Sequence, residues 1–349
     1  MTAADWRALV DLGKLAAWMD RQGLERGEIG DATPLTGGTQ NILLRFTRGG
    51  RAFVLRRPPA HTIANGSETM RREARVLAAL SDTDVPHARL IASCPEEDVL
   101  GAAFYLMEPV EGFNATVALP PLHASDPAIR RQMGFALVDA AVALGRVDPF
   151  AVGLEGFGKL DNFLTRQPSR WKAQLESYAR HEGWPGPDAI PGVGEVGAWL
   201  TANCPDSFTP GIMHGDYHLA NVMYRYDGPA IAAIVDWELT TVGDPLIDLA
   251  WTVATWPDPA EQQGALAVTP WEGFPDADEL VERYRAGSQR DLSALLWYKV
   301  LACYKLGILL EGTYARAAAG KADRAVAQVL HEQTITLFRR AIRWIEAGR

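Results

Sequence analysis

Short strand-like runs dominate the first 110 residues of the chain. Five runs have the alternating pattern and composition of half-buried strands, at roughly 32–35, 42–47, 52–56, 88–94 and 102–110. Two double glycines, Gly37-Gly38 and Gly49-Gly50, separate the first three runs and are typical of tight turns. The stretch 68–80 instead places its apolar residues on one helical face. This order predicts an antiparallel sheet with one helix, preceded by an N-terminal amphipathic helix.

Helical patterns dominate from residue 125 onward, with long candidates at 127–147, 169–181, 291–317 and 323–347. Two strand-like runs, 221–226 and 230–237, interrupt them and flank the turn Asp227-Gly228-Pro229, the signature of a β-hairpin. A proline-rich, acidic stretch at 256–278 is typical of a surface loop. We therefore predict an α+β fold with two lobes. The N-terminal lobe, 1–110, contains the N-terminal helix and the five-stranded sheet with its helix. The helical C-terminal lobe, 111–349, carries the hairpin, and a linker lies near 108–112.

The acidic composition of the chain argues against two classes of binding partner. The chain has 349 residues, 48% of them apolar, and a formal net charge of −9. An acidic surface repels nucleic-acid phosphates and anionic membranes, so we expect neither as a partner. Charged residues interrupt the N-terminal segment, which argues against a signal peptide, and the apolar stretch 292–310 contains Lys299 and Lys305, which indicates a buried helix rather than a membrane span.

The cysteines favour a reducing compartment. Cys94, Cys204 and Cys303 are odd in number and far apart, so the sequence supports neither a disulfide framework nor a cysteine-based zinc site. We predict reduced thiols and a cytoplasmic location. The sequence does not indicate an oligomeric state.

The stretch HGDYHLANV, 214–222, offers two chemical interpretations. His214 and His218 are four residues apart, and such a pair binds zinc when it lies on one helix face. The residues that follow are strand-like, and a third ligand and a base glutamate within the pair are missing. A structural role for both histidines is therefore favoured over zinc.

The second interpretation concerns an acid and an amide. Asp216 and Asn221 precede the hairpin, and Asp236 ends its second arm in the sequence IVDWE. Phosphoryl transfer from ATP requires a carboxylate beside the acceptor hydroxyl and oxygen ligands for the magnesium that bridges the phosphates. Asp216, Asn221 and Asp236 supply these groups. The sequence therefore favours phosphoryl transfer.

The chain resembles the aminoglycoside phosphotransferase/choline kinase-like family, which has the protein-kinase-like fold. It is most similar to the branch that includes the kinase-like domains fused to acyl-CoA dehydrogenases. The matching segments are LTGGTQN (35–41), FVLRRPP (53–59), RREARVL (71–77), FYLMEPVEG (104–112), DNFLTRQ (161–167), HGDYHLANVM (214–223) and VDWELTTVGDPLIDLAW (235–251). The resemblance implies a two-lobed fold and an ATP- and Mg²⁺-dependent kinase that phosphorylates a small-molecule hydroxyl.

The resemblance also implies roles for residues in the helical lobe. Asp216 corresponds to the catalytic base, and Asn221 and Asp236 to the magnesium ligands. His218 follows the base by two residues, and either a supporting role in charge stabilisation or a structural role is compatible with this position. Gly215 replaces the arginine of regulated protein kinases, so we do not expect switching by activation-loop phosphorylation.

The N-terminal lobe is implied to bind the nucleotide. Strand alternation puts Val54 and Arg56 on one face. By similarity, Val54 covers the adenine and Arg56 replaces the phosphate-binding lysine, paired with Glu73. Arginine is bulkier and forked but is suited to bidentate phosphate contact. The remaining implied cofactor-binding residues are Gly37 and Gly38 in the phosphate loop and Met107, Glu108 and Val110 in the hinge.

Three further carboxylates lie downstream of the hairpin. We expect Asp244 and Asp248 to be structural, with Asp244 near a helix start and Asp248 one turn later, in reach of the catalytic loop. The residues leave two roles open for Glu238, metal binding or solvent exposure.

The nature of the acceptor is the least specified part of the prediction. The helix 297–316 is rich in Trp, Tyr, Lys and Arg, which does not favour a polycationic acceptor. Resemblance to the acyl-CoA-dehydrogenase-linked branch suggests a hydroxyacyl compound or hydroxyacyl-CoA. The alternatives are an aminoglycoside or amino-alcohol kinase, and a nucleotide-binding pseudokinase or regulatory module.

Overall fold

The structure, a computed structural model, describes residues 6–35, 41–59, 63–261 and 266–348. Helices α1 (Trp6–Leu9) and α2 (Leu12–Arg21) precede a five-stranded antiparallel sheet. Its strands are β1 (Gly30–Pro34), β2 (Ile42–Arg48), β3 (Arg51–Arg57), β4 (Leu90–Cys94) and β5 (Phe104–Met107), in the spatial order β1-β2-β3-β5-β4. Helix α3 (Ile63–Leu80) connects β3 to β4. The predicted sheet with one helix is confirmed.

The two faces of the sheet contact different layers. Phe53 and Leu55 on β3 pack into a core shared with α1 and α2, and Arg57 donates a hydrogen bond to the Leu9 carbonyl. Residues at alternate positions of a strand point the other way. Val54 and Arg56 therefore face α3 and the helical part of the chain.

The rest of the chain is mostly helical. Its helices are α4 (Pro121–Ser125), α5 (Pro127–Arg146), α6 (Arg166–Glu176), α7 (Val193–Ala202), α8 (Leu246–Thr255), α9 (Ala277–Gly287), α10 (Leu295–Ala318) and α11 (Arg324–Ala347). The predicted hairpin is present as β7 (Val222–Tyr224) and β8 (Ile231–Ile234). A second antiparallel pair joins β6 (Gly211–Met213) to β9 (Thr241–Gly243) and brings the segments on either side of the hairpin together.

Helix α3 is bonded to the helical part of the chain by two arginines. Arg72 lies over the Phe157 ring, 4.0 Å from its centroid, and donates to the Thr240 carbonyl at 3.1 Å. Arg75 donates to two carbonyls of the turn at 153–155. These bonds fix the helix that carries Glu73 relative to the segment that follows the β7–β8 hairpin.

The longest described helices do not have the features of membrane spans. Among the helices of the described residues, we find none that combines the length and the apolar content required to cross a bilayer.

Candidate active site

The loop after β6, which carries Asp216, contains a glycine that no other residue could replace without strain. Gly215 has a φ of +87°, and a Cβ added there would lie 2.5 Å from the Leu239 carbonyl oxygen. Asp248 on α8 accepts backbone hydrogen bonds from His214 at 2.6 Å and from Gly215 at 2.8 Å. This confirms the prediction that Asp248 binds the loop. Burial raises the pKa of Asp248 to about 7, although these two backbone donors act in the opposite direction.

Three donors surround the Asp216 carboxylate. The Trp251 indole donates to Oδ1 at 2.8 Å and the Asn221 amide to Oδ2 at 2.9 Å. The His218 Nε2 lies 3.2 Å from Oδ1. Burial acts to raise the pKa of Asp216, but the bond and charge of His218 and the nearby Lys305 outweigh it and hold this pKa well below its usual range. The group is thus an oriented, ionised carboxylate.

The two histidines of the loop make separate contacts. The His214 Nε2 lies 2.9 Å from the Val235 carbonyl, and its Nδ1 accepts from the Asp216 amide at 3.4 Å. The His218 Nδ1 accepts from the Ala220 amide at 3.2 Å, which leaves Nε2 for Asp216. Burial lowers the pKa of His214 and so favours the neutral ring. Among the described residues, neither ring belongs to a group of three or more potential metal ligands.

The hairpin brings Asn221 and Asp236 to the same end of its two strands. The Val235 amide donates to the Asn221 carbonyl at 2.9 Å. The Asn221 side-chain amide contacts both the carbonyl and the carboxylate of Asp216, so its amide oxygen points away from these groups. Asp236 adopts a left-handed backbone conformation, with φ 66° and ψ 63°. Such strain in a residue other than glycine is typical of functional sites.

Arg56 lies between two carboxylates. Its Nε is 2.8 Å from Glu73 Oε2, and its Nη2 is 2.8 Å from Asp236 Oδ1. The Tyr105 hydroxyl donates to the same Glu73 oxygen, Oε2, at 2.6 Å, and Arg56 Nη2 donates to the other oxygen, Oε1, at 3.1 Å. Burial alone would lower the pKa of Arg56, but Glu73 and Asp236 outweigh burial and raise it. The predicted pairing of Arg56 with Glu73 is confirmed.

The strongest candidate for cation binding in the described residues is a group of three carboxylates. Glu73, Asp236 and Glu238 each offer an oxygen, and these atoms lie within 4.8 Å of one another. Burial and the neighbouring Asp236 raise the pKa of Glu238. Hard divalent cations prefer oxygen ligands at this spacing, so the group fits Mg²⁺. Arg56 contacts both Glu73 and Asp236 in this group, so a cation bound there would compete with the guanidinium for Asp236.

The structure describes some of the predicted nucleotide-binding residues, and the others lie outside the described part of the chain. Val54 is buried and pairs across the sheet with Met107, next to the predicted hinge. The Glu108 amide donates to the Arg89 carbonyl at 2.9 Å, so any contact of its backbone with adenine must come from its carbonyl. Val110 follows in the same hinge segment. Gly37 and Gly38 lie outside the described residues.

Two residues at this site were not assigned a role from the sequence. Trp251 follows Asp248 by three residues on α8, and this spacing alone would have placed it on the face toward the loop. Lys305 is buried on α10, and its Nζ donates to the Gly215 carbonyl at 2.7 Å. Its sequence context indicated only a buried helix, because the partner is 90 residues away.

Comparison with known proteins supplies the wider context. The model of the phosphotransferase enzyme family, APH, matches residues 31–298. Acyl-CoA dehydrogenase family member 11 of Gallus gallus is 29% identical over 295 residues, which cover 82% of this chain and 37% of that protein. Family member 10 of Mus musculus is 26% identical over 296 residues, 83% of this chain and 27% of the relative. The chain thus spans well under half the length of these curated relatives.

Solved structures share the architecture. A Ralstonia eutropha structure described as an aminoglycoside phosphotransferase superposes with a TM-score of 0.78 and 28% identity, over 97% of this chain and 98% of that one. Aminoglycoside phosphotransferase APH(4)-Ia, in a ternary complex with AMP-PNP and hygromycin B, has a TM-score of 0.59 at 14% identity, over 93% and 98% of the chains. The latter comparison concerns the fold alone. The predicted two-lobed, protein-kinase-like α+β fold is confirmed.

Proposed function

The chain belongs to the phosphotransferase enzyme family, as its motifs predicted, and from this premise we propose that it transfers the γ-phosphate of ATP to a hydroxyl group of a small molecule in a Mg²⁺-dependent reaction. We assign residues 1–110 to a nucleotide-binding lobe and residues 111–349 to a lobe with the catalytic loop, the metal-binding hairpin and the acceptor site. We expect the reaction to take place in the cytoplasm, where the three free cysteines remain reduced.

The environment of Asp216 carries this proposal. A carboxylate that is ionised, oriented by Trp251 and Asn221, and next to a cation-binding hairpin can accept a proton from an acceptor hydroxyl. In the proposed step, the hydroxyl oxygen forms a bond to the γ-phosphorus while the bond from that phosphorus to the ADP oxygen breaks. The hydroxyl proton passes to Asp216. His218 would support the reaction by contacting Oδ1, the same carboxylate oxygen that accepts from Trp251.

We propose that the nucleotide binds between the sheet and the hairpin. Val54 and Met107 would form the apolar surface for the adenine, and the backbone of Glu108 and Val110 would supply its hydrogen bonds. Gly37 and Gly38 remain assigned to the phosphate loop by resemblance. Structural neighbours that hold AMP-PNP, ADP and GDP support a nucleotide site in this fold.

The phosphates and the metal would bind at the other end of this cleft. Arg56, supported by Glu73, would contact phosphate oxygens through its forked guanidinium. Asn221 and Asp236 would hold Mg²⁺, with Glu238 as an additional oxygen ligand. When bound, the metal would neutralise negative charge on the transferred phosphoryl group.

The charges near Asp216 favour an acceptor that is not a polycation. Burial lowers the pKa of Lys305 to about 8. The nearby Asp216 acts to raise this pKa, and Arg170 on α6 acts to lower it. Cationic acceptors such as aminoglycosides require acidic or aromatic cages, and the positive charges of Lys305 and Arg170 near Asp216 act against them. Together with the curated relatives, this supports a hydroxyacyl compound or hydroxyacyl-CoA as the acceptor.

The decisive experiment is a screen for ADP release from MgATP. The acceptors are grouped as aminoglycosides, amino alcohols, sugars and hydroxyacyl thioesters, each beside its dehydroxylated analogue. We expect hydroxyacyl thioesters to stimulate ADP release and to yield a phosphorylated product by mass spectrometry. Stimulation by an aminoglycoside or amino alcohol instead would leave the phosphotransferase in place and overturn the acceptor class.

The matched control for the chemistry is Asp216→Asn, which keeps the size of the side chain. Loss of a general base lowers turnover by about 10²–10⁴-fold, and we expect binding of AMP-PNP to be retained within about threefold, or ~0.7 kcal/mol. Turnover at the wild-type rate in this variant would show that Asp216 is not the base. Nucleotide binding without turnover of any acceptor by the wild-type protein would support the pseudokinase alternative.

A further inference from the structure

Lys305 is a buried lysine whose ammonium group lies behind the catalytic loop. Its side chain extends from α10, and the residue is 9% exposed. The Nζ donates to the Gly215 carbonyl at 2.7 Å and lies 4.2 Å from the centroid of the Trp251 ring. The Trp171 ring is 5.7 Å away on the side of α6. The ammonium therefore contacts both the backbone before Asp216 and an aromatic ring that binds Asp216.

The bond to Gly215 fixes one peptide plane. The Gly215 carbonyl belongs to the peptide that joins Gly215 to Asp216, and its amide end donates to His214 Nδ1 at 3.4 Å. The preceding peptide is held by Asp248, which accepts from the Gly215 amide at 2.8 Å. Lys305 therefore holds the carbonyl side of the loop, while Asp248 holds its amide side. The backbone direction at Asp216 depends on both.

The contact with Trp251 acts on the carboxylate itself. The ammonium lies over the ring face, and the ring N–H donates to Asp216 Oδ1 at 2.8 Å. A cation over an indole face attracts electron density toward itself, which makes the N–H a stronger donor. Lys305, Trp251 and Asp216 thus form a continuous polar chain from α10 to the proposed base.

Burial of the Lys305 ammonium destabilises the folded state. Burial lowers the pKa of Lys305 to about 8, although Asp216 and Asp248 act to raise it. Replacing a buried charge with a well-packed apolar residue is often neutral or stabilising. If the only role of this side chain were to pack α10 against its neighbours, a methionine of similar length would fill it.

From these contacts we propose that Lys305 is a positioning residue for phosphoryl transfer, which sets the orientation of Asp216 through the Gly215 carbonyl and through Trp251. The inference rests on the proposed function, because it takes Asp216 as the base. It is specific to the chemical step, since Lys305 contacts neither the sheet nor the proposed metal ligands through any hydrogen bond of the described residues.

The test compares Lys305→Met with Lys299→Met. Lys299 lies on the same helix over another indole ring, that of Trp344 at 4.4 Å, which makes it a matched control. We measure kcat and KM for MgATP turnover with the acceptor found in the screen and with water, and Kd for MgAMP-PNP. We expect Lys305→Met to lower kcat at least tenfold with KM and Kd changed less than twofold, and Lys299→Met to change none of them.

Chemical rescue separates positioning from packing. Lys305→Ala removes the atoms of propylamine, so added propylamine restores the ammonium and 1-propanol restores only volume. We expect propylamine to recover kcat in a saturable manner and 1-propanol to have no effect. Equal recovery by the alcohol, or an unchanged kcat in Lys305→Met, overturns the proposal.

Hydrogen exchange supplies a readout that does not depend on turnover. We expect faster amide exchange in the peptide covering 212–222 in Lys305→Met than in the wild type and Lys299→Met, at equal melting temperature. Unchanged exchange overturns the inference. Its failure is distinct from failure of the proposed function, which would instead appear as wild-type turnover in Asp216→Asn.

Discussion

The guanidinium of Arg56 forms an ion pair with Asp236, at 2.8 Å and across 180 residues of sequence. One partner lies in the middle sheet strand β3, and the other ends the catalytic hairpin. The same guanidinium also contacts Glu73. Arg56 is thus the counter-ion of a proposed metal ligand. In the proposed function, binding of the phosphates and Mg²⁺ would require Arg56 to exchange Asp236 for phosphate oxygens.

Arg56→Met is expected to lower both stability and nucleotide affinity. It leaves Glu73 buried without its cation, and breaking a buried pair costs about 3–5 kcal/mol. The apparent KM for ATP should rise about tenfold or more, since a hydrogen bond to a charged group contributes ~1.5–3 kcal/mol. Chemical denaturation and steady-state kinetics measure the two effects.

Two variants control this prediction. Arg51→Met removes an arginine from the same strand, but Arg51 is exposed and pairs at 3.2 Å with Glu108, so unfolding should change by less than ~1 kcal/mol. Arg56→Lys keeps the charge without the fork, and intermediate values are expected. An Arg56→Met protein with wild-type stability would contradict the buried ion pair.

The carboxylates of the hairpin should determine the divalent-ion requirement. Asp236→Asn is expected to weaken Mn²⁺ binding in the presence of AMP-PNP by roughly tenfold or more, ~1.4 kcal/mol, because a charged oxygen ligand is lost. Glu238→Gln should weaken it less. Electron paramagnetic resonance of free Mn²⁺ reports this directly.

Asp227→Asn is the matched control on the same hairpin. Asp227 pairs with Arg225 at 2.6 Å in the exposed turn, away from the proposed site. Its Mn²⁺ affinity should equal that of the wild type. If chelation with EDTA left wild-type turnover unaffected, or if Asp236→Asn bound Mn²⁺ normally, the metal assignment would be wrong.

Gly215→Ala should disable the catalytic loop. The backbone there has a φ of +87°, and the added Cβ would meet the Leu239 carbonyl at 2.5 Å. Residues held in unfavourable backbone conformations cost about 1–3 kcal/mol each, and the clash adds to this. We expect a lower melting temperature and loss of turnover.

Gly228→Ala provides the comparison within the hairpin. A Cβ at Gly228 would meet no heavy atom within 4 Å. Melting temperature and kcat should both remain close to those of the wild type, since the change in unfolding free energy at such a surface site is within about 0.5 kcal/mol. Equal behaviour of the two variants would show that the loop tolerates rearrangement at Gly215.

Lys305 should make the free energy of unfolding depend on pH in the alkaline range. Its pKa is about 8 in the folded state, against 10.5 as the ordinary value. Between these values the unfolded chain binds the additional proton, so the free energy of unfolding rises with pH. The rise, relative to Lys305→Met, should total up to ~3 kcal/mol and level off above pH 10.5.

Denaturation at pH 7, 8, 9, 10 and 11 measures this difference, and subtraction of Lys305→Met removes the titration of the tyrosines. The groups that face the ammonium are Asp216, Asp248 and Arg170. At pH 7 Lys305 is protonated in both states, and its burial penalty is then fully present. A constant difference between the two proteins across the series would contradict the lowered pKa.

The parts of the site that could be predicted are those formed by residues close together in the sequence. Asp216 and Asn221 are five residues apart, and the turn Asp227-Gly228-Pro229 brings the arms of the hairpin together. Strand alternation put Val54 and Arg56 on one face, and Arg56 does contact Glu73. Period and turn chemistry are local properties of a sequence, so these features could be predicted without the fold.

The remaining parts depend on contacts between distant segments. Tyr105 reaches Glu73 across 32 residues, Trp251 reaches Asp216 across 35, and Lys305 reaches Gly215 across 90. Hydrophobic periodicity indicates that such residues are buried, but not which loop they contact. The three-residue strands β6 and β9 are also too short for an alternating pattern to be recognised.

Arg72 and Arg75 tie α3 to backbone carbonyls of the helical lobe rather than to side chains that modification could change. Displacing this helix would break all of these hydrogen bonds at once. We therefore expect the Arg56–Glu73 pair to stay assembled throughout each turnover of the proposed reaction. We expect the rate in the cell to follow the supply of acceptor and nucleotide, in the manner of a metabolic enzyme rather than a signalling switch.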